Sequence, residues 1–102
     1  MKGDRVEAVV DTGTRYSIVP RPILDVLGCR LIRMQPVMLP DGRTDEWPLT
    51  LIEIECAGRR TPTPVLMGPA DGRMVLGAVT LGELGLGVDP AGRRLVPVVA
   101  AV

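Results

Sequence analysis

The sequence predicts a small all-β domain that carries two short helices. Three observations predict it. The 102-residue chain contains 12 glycines and 10 prolines, which divide it into short segments. Its hydrophobic residues, 46% of the total, are almost all aliphatic, since Tyr16 and Trp47 are the only aromatics. Turn signals recur between apolar stretches that alternate with polar residues, the period of a half-buried strand. A chain of this size buries roughly 60% or a little more of its unfolded surface, enough for one core and therefore one domain over residues 1–102.

The elements follow in order. Arg5 to Val10 reads RVEAVV, a half-buried strand running into Asp11. Ser17 to Pro22 is extended. Residues 22–28 predict a short helix with Pro22 in its first turn, Ile23, Leu24 and Leu27 on one side, and Gly28 to stop it. Residues 30–39 form a strand, and Pro40-Asp41-Gly42-Arg43 a turn. The return, TDEWPLTLIEIE, sets Leu49, Leu51, Ile52 and Ile54 against Thr50, Glu53 and Glu55, so residues 30–56 read as a hairpin with an exposed tip.

Ala57 to Arg60 is a further turn, residues 61–67 a strand, and GPADGR a loop. Met74 to Gly77 is a buried apolar strand, residues 78–84 one or two helical turns, and Leu86 to Val98 a hairpin turning at Asp89-Pro90-Ala91-Gly92. The order strand, glycine, short helix occurs twice, at 8–28 and at 74–85.

Charge and residue usage narrow the function. Twelve basic residues balance twelve acidic ones. A nucleic-acid partner needs a basic face, and none is predicted. The N-terminal MKGDRVEA lacks the apolar run of a signal peptide. The C-terminal LVPVVAAV is far shorter than the roughly 20 residues that cross a bilayer, so no membrane partner is expected. Cys29 and Cys56 read as reduced thiols, which fits a cytoplasmic protein. The chain has no histidine, which removes the usual general base, the Ser-His and Cys-His pairs and the commonest zinc ligand. No metal or cofactor is expected, and any catalysis must rest on carboxylates.

One carboxylate stands out. Asp11 lies between Val9-Val10 and the apolar Tyr16, Ile18 and Val19. A carboxylate costs several kcal/mol to desolvate unless it is paired or hydrogen-bonded. Asp11 is thus either a turn acid reaching solvent or a working acid held in a cleft. Asp11-Thr12-Gly13-Thr14 suits an ordinary turn, but its context is more specific. About 60 residues on comes a second apolar-apolar-glycine strand, Val75-Leu76-Gly77, followed by a short helix, and the Pro-Asp-Gly hairpin lies between the two.

With these features the chain resembles the single-domain aspartic proteases, the retropepsin-like enzymes and their small prokaryotic relatives, from residue 4 to about residue 96. GDRVEAVVDTGTRYSIVP resembles their first strand and catalytic turn, LTLIEIECAGRRTPTPVLMGP the strand pair after the flap, and MVLGAVTLGELGLGVDPAGRRLVPV their second glycine motif, helix and closing hairpin. The resemblance implies a small closed β-barrel of the acid-protease type. It also implies a homodimeric aspartic endopeptidase, a hydrolase of peptide or protein substrates.

In that family each chain supplies one Asp-Thr-Gly. Two Asp11 carboxylates would share a proton and activate a water held between them. By the same resemblance Thr12 bonds across the dimer, Gly13 permits close approach of the two turns, and Thr14 donates to the Asp11 carboxylate. Leu39, Pro40, Asp41, Gly42 and Arg43 form a flap over the substrate, and Ile18, Leu39 and Val75 line the cleft. The alternative is a peptide-binding or dimerisation module of the same fold whose Asp11 is only structural.

Two departures from the family qualify the match. Relatives carry a strand before the catalytic one, where this chain has only Met1 to Asp4, so the expectation is either a truncated chain or a dimer interface carried by VPVVAAV alone. Retroviral enzymes pair an acid two residues after the motif glycine with an arginine after the second glycine motif. This chain has Arg15 and Ala78 there.

The remaining polar residues read as structural. Trp47 is expected to pack at the flap base. Glu53, Glu55 and the Asp45-Glu46 pair are expected to be solvated, and Asp71 and Asp89 to serve turns. The Arg59-Arg60 and Arg93-Arg94 pairs are expected to keep hairpin ends from associating edge to edge.

Overall fold

The computed structural model describes residues 6–99. Its strands are β1 (Val9–Val10), β2 (Ser17–Pro20), β3 (Arg30–Met38), β4 (Thr44–Cys56), β5 (Arg59–Gly68), β6 (Val75–Leu76), β7 (Leu86–Asp89) and β8 (Arg94–Pro97). The helices are α1 (Arg21–Leu27) and α2 (Ala78–Leu84). The architecture is mostly β with two short helices, as the turn spacing predicts. Six strands form one sheet in the order β1-β6-β2-β5-β4-β3, and β7 and β8 form a separate hairpin. The large sheet ends on β1 at one side and on β3 at the other, so no sheet closes into a barrel among the described residues.

The local chemistry of the elements is ordinary. Pro22 lies in the first turn of α1, where a missing N–H is no loss, and Gly28 ends the helix at φ +70°. The β4–β5 connection has two residues, Ala57 and Gly58, both at positive φ. Such a turn carries the twist that a tight hairpin requires. The β3–β4 hairpin holds its register from Met38↔Thr44 down to Arg30↔Leu51, with one irregularity between Leu31 and Arg33.

The placement of β6 decides the geometry of the site. β6 runs parallel to β1 (Val9↔Val75, Val10↔Leu76) and antiparallel to β2 (Ile18↔Val75). It therefore lies between two strands that are close neighbours in sequence. The chain leaving β1 must pass over the C-terminal end of β6 to enter β2. The segment that makes this passage is residues 11–16.

The core is aliphatic, as the composition requires. Val19 of β2, Leu24 of α1, Ile54 and Val65 of the β4–β5 pair, Leu76 of β6, Leu81 and Leu84 of α2 and Leu86 of β7 form one buried cluster. Cys29 and Cys56 are unpaired thiols, half-buried at the edge of this cluster.

Two expectations of burial fail. Val9 and Val10 remain 44% and 39% exposed, because β1 is an edge strand with only β6 beside it. Leu27 is exposed as well, since a seven-residue helix presents only Leu24, with Ile23 partly covered, to the core. The first strand, expected from Arg5, is regular only at Val9–Val10; residues 1–5 lie outside the described residues, as do residues 100–102 of the expected interface segment. No described helix is long and apolar enough to cross a membrane.

Leu24 joins α1 to the sheet and is completely buried. Leu24→Ala is expected to cost about 2–5 kcal/mol, the range for a large-to-small change in a packed core. A urea midpoint lowered accordingly, with an unchanged slope, is the outcome that urea denaturation should give.

Candidate active site

Asp11 is exposed on the loop that leaves β1. Its backbone N–H donates to the Leu76 carbonyl (3.0 Å), so the acid is fixed to the end of β6. Both carboxylate oxygens are held from within the same turn. The Gly13 N–H donates to Oδ1 at 2.9 Å, and the Thr14 hydroxyl donates to Oδ2 at 2.9 Å. The Thr14 N–H donates to the Asp11 carbonyl at 3.2 Å, closing the turn. Asp11 is thus a solvent-reaching turn acid whose orientation is over-determined. The expected Thr14 bond is present, and Gly13 has a reason inside the chain: a Cβ there would stand 3.2 Å from Asp11 Oδ1.

The loop is gripped from below by the start of α2. The Ala78 N–H donates to the Thr14 carbonyl (2.8 Å) and the Val79 N–H to the Arg15 carbonyl (2.9 Å). These are free donors of a helix N-terminus, and α2 has no side-chain cap. The carbonyls after Asp11 serve as its cap. The Gly77 N–H donates to Ser17 Oγ at 3.0 Å. The two segments cross so closely that a Cβ on Gly77 would lie 2.6 Å from the Tyr16 carbonyl carbon. The segments that carry Arg15 and Ala78 are joined by these backbone bonds and not by an ion pair. The Arg15 guanidinium instead stacks over the Tyr16 ring, 5.7 Å from its centroid.

Of the predicted site residues, Asp11, Thr12, Gly13 and Thr14 form one turn. Val75 adjoins it through its pairing with Val9 and Ile18. Thr12 is exposed. Leu39 to Arg43 form the tip of the β3–β4 hairpin, and no hydrogen bond or ion pair among the described residues joins that tip to the Asp11 turn. The link between hairpin and site lies lower, where Arg33 of β3 donates to the Tyr16 hydroxyl at 3.3 Å. Sequence reasoning missed this contact, and no local pattern signals it.

The tip is a closed turn. The Leu39 N–H donates to the Arg43 carbonyl (2.7 Å) and the Gly42 N–H to the Leu39 carbonyl (2.9 Å), with Gly42 at φ +88°. Asp41 accepts from the Arg43 N–H at 3.0 Å and from the Arg43 guanidinium at 2.6 Å. The backbone bond first, and the guanidinium second, hold the Asp41 carboxyl below its ordinary value.

The residues read as structural are mostly so. Arg60 bridges Glu53 at 3.6 Å and Glu55 at 3.0 Å on the exposed face of the β4–β5 pair. Asp45 accepts the Trp47 indole N–H at 3.3 Å. Asp89 accepts the Ala91 N–H within its turn. Arg59 does more than guard a hairpin end: its guanidinium donates to the Leu84 and Gly85 carbonyls at 2.9 and 3.1 Å and so caps the C-terminus of α2.

Two hollows among the described residues lie away from Asp11. One, of about 470 Å³, is lined by residues such as Val6, Pro20, Ile23 and Met74. The other, of about 270 Å³, lies beside Trp47, Met67 and Pro69. Among the described residues no cluster of histidine, cysteine and carboxylate side chains could hold a metal ion. A scan against protein-family models, a search of curated proteins and a search of solved structures each returned no significant match.

Gly77→Ala places a methyl group against backbone that cannot yield. It is expected to cost about 1–3 kcal/mol and to be measurable as a lowered urea midpoint. The Asp41 carboxyl, lowered in the folded chain, keeps its two bonds at pH values above the ordinary aspartate range and loses them as pH falls through the lowered value. An NMR titration of the Asp41 carboxyl carbon should show the depressed midpoint, and Arg43→Ala should move it upward.

Proposed function

We propose that the chain is one half of a homodimeric aspartic endopeptidase that cleaves extended peptides in the cytoplasm. One observation carries the reading. Asp11 stands on an exposed loop with both oxygens oriented by Gly13 and Thr14, and no cation neutralises it among the described residues. Asp41 is also held at both oxygens within its own turn, but it is paired with Arg43. Asp11 has no such cation among the described residues, so its oriented charge is left for an external partner.

That partner is a second Asp11. Across a two-fold axis the pair would share one proton, since close carboxylates cannot both ionise cheaply. The ionised member accepts a proton from a bound water. The protonated member donates to the carbonyl oxygen of the scissile peptide, and the water oxygen attacks its carbon. The resulting tetrahedral diol collapses as the first Asp11 passes the water-derived proton to the leaving nitrogen and the second takes back the diol proton, and no covalent enzyme intermediate forms. Thr12 would link the two turns, and Val75 and Ile18 would line the cleft.

The β3–β4 hairpin serves as the cover, with Leu39, Pro40, Asp41, Gly42 and Arg43 at its tip. The fold belongs to the same proposal. A small barrel of the acid-protease type is supported by the pairing of β1, β6 and β2, which folds the Asp11 strand back on the Gly77 strand. The cytoplasmic placement is supported by the free thiols of Cys29 and Cys56. The second reading, a peptide-binding or dimerisation module, is favoured by the exposure of Val9 and Val10 beside the acid, which suits any paired edge.

Asp11→Asn decides between the two. Cleavage of a denatured protein substrate is expected to fall by roughly 10²–10⁴-fold or more, with the sedimentation profile of the dimer unchanged. Added in excess, the Asp11→Asn variant should also suppress wild-type activity, because each mixed dimer lacks one acid. Undiminished cleavage by Asp11→Asn, or a wild-type chain that sediments as a monomer at every concentration, would remove the enzyme reading.

A further inference from the structure

Beneath the site runs a chain of buried hydroxyls that the reaction does not use directly. Ser17 Oγ and Thr80 Oγ1 are 2.6 Å apart, Thr80 Oγ1 and Thr63 Oγ1 3.0 Å, and Thr63 Oγ1 and Glu83 Oε1 2.8 Å. Ser17, Thr63 and Thr80 are completely buried, whereas Glu83 is exposed. The chain stitches β2, α2 and β5 together and begins at the Gly77 N–H, which donates to Ser17 Oγ at 3.0 Å.

Its direction follows from the chemistry of its last member. An ionised carboxylate only accepts, so Thr63 must donate to Glu83. A hydroxyl has one proton, so Thr63 accepts from Thr80. Thr80 in turn accepts from Ser17, and Ser17 Oγ is left as the acceptor of the Gly77 N–H. The reverse direction fails at Ser17, whose proton would then have no acceptor, because its remaining neighbour is the Gly77 N–H, itself a donor. The Glu83 carboxylate at one end and the Gly77 N–H at the other thus require the same direction for every bond between them.

We infer that Glu83 is a positioning residue for the Asp11 turn, acting through Thr63, Thr80 and Ser17 on the Gly77 N–H. Gly77 begins the run of three amides, 77 to 79, that grips Ser17, Thr14 and Arg15. Thr14 in turn holds the Asp11 carboxylate. Removal of the Glu83 carboxylate leaves the Thr63 proton without an acceptor in a buried site, so the hydroxyl layer beneath Gly77 loses one of its two end restraints and loosens. Glu83 orders these amides whatever the protein does; the consequence for turnover rests on the endopeptidase reading.

Amide hydrogen exchange on the full chain tests it, with Glu83→Ala, Glu83→Gln and Thr63→Val compared to wild type. In Glu83→Ala the amides of Gly77, Ala78 and Val79 should exchange roughly tenfold faster, with those of the β3–β4 hairpin unchanged. Thr63→Val cuts the chain without touching the surface charge and should act alike. Glu83→Gln retains an oxygen that accepts the Thr63 proton and should stay within about twofold of wild type. For peptide hydrolysis, Glu83→Ala should lower kcat roughly tenfold with KM little changed, as expected when a reacting group is misplaced.

Wild-type exchange at residues 77 to 79 in both Glu83→Ala and Thr63→Val overturns the inference. So does acceleration spread equally over the hairpin, which would make Glu83 a residue of general stability. A wild-type chain that hydrolyses no peptide removes the endopeptidase reading instead, and the exchange result still decides the role of Glu83.

Discussion

The crossing of two backbone segments at Gly77 is the constraint on which the rest of this structure depends. β6 lies between β1 and β2, so the loop carrying Asp11 must pass directly over the residue that leaves β6. Only a residue without a Cβ fits beneath it. Once that approach is made, the amides of residues 77 to 79 are within reach of the loop, and both segments satisfy their backbone groups on each other. A helix N-terminus and an irregular loop, each costly alone, solve one another's hydrogen-bonding problem.

This arrangement separates rigidity from exposure. The Asp11 carboxylate faces solvent, yet its turn is anchored at the Leu76 carbonyl, at Gly13, at Thr14 and through the loop to α2. Accessible side chains are usually mobile. Here the restraint comes from below, through a buried layer of Ser17, Thr63 and Thr80 hydroxyls in which no polar side-chain atom is left unpaired among the described residues. The hairpin at the far side is built differently. Its tip is held by bonds within the turn itself, and the strand below it touches the site segment through Arg33 and Tyr16.

Much of the fold was legible along the chain. The turn signals at Pro40-Asp41-Gly42, Ala57-Gly58 and Asp89-Pro90-Ala91-Gly92 each separate two observed strands, and the helices at 21–27 and 78–84 begin and end within a residue of their predicted limits. The Asp-Thr-Gly turn, with Thr14 bonded to the acid, was also legible, because its contacts span two or three residues. Less legible was burial. Val9 and Val10 look like core residues in a sequence, but an edge strand of two residues cannot be covered on both sides. Arg59, which reads as a hairpin-end charge, spans 25 residues to cap α2.

The sequence by itself determined which segments turn, which extend and where the Asp11 carboxylate is held by its own turn, since these depend on neighbours a few residues apart. The tertiary structure alone decided that β6 enters between β1 and β2, and that Ser17, Thr63, Thr80 and Glu83 meet. Those residues are 63, 17 and 20 positions apart at successive links, and nothing local records the contact. Three hydroxyls scattered along a chain are indistinguishable from surface serine and threonine. Buried together, they must share protons, and that necessity arises only when the strands are packed.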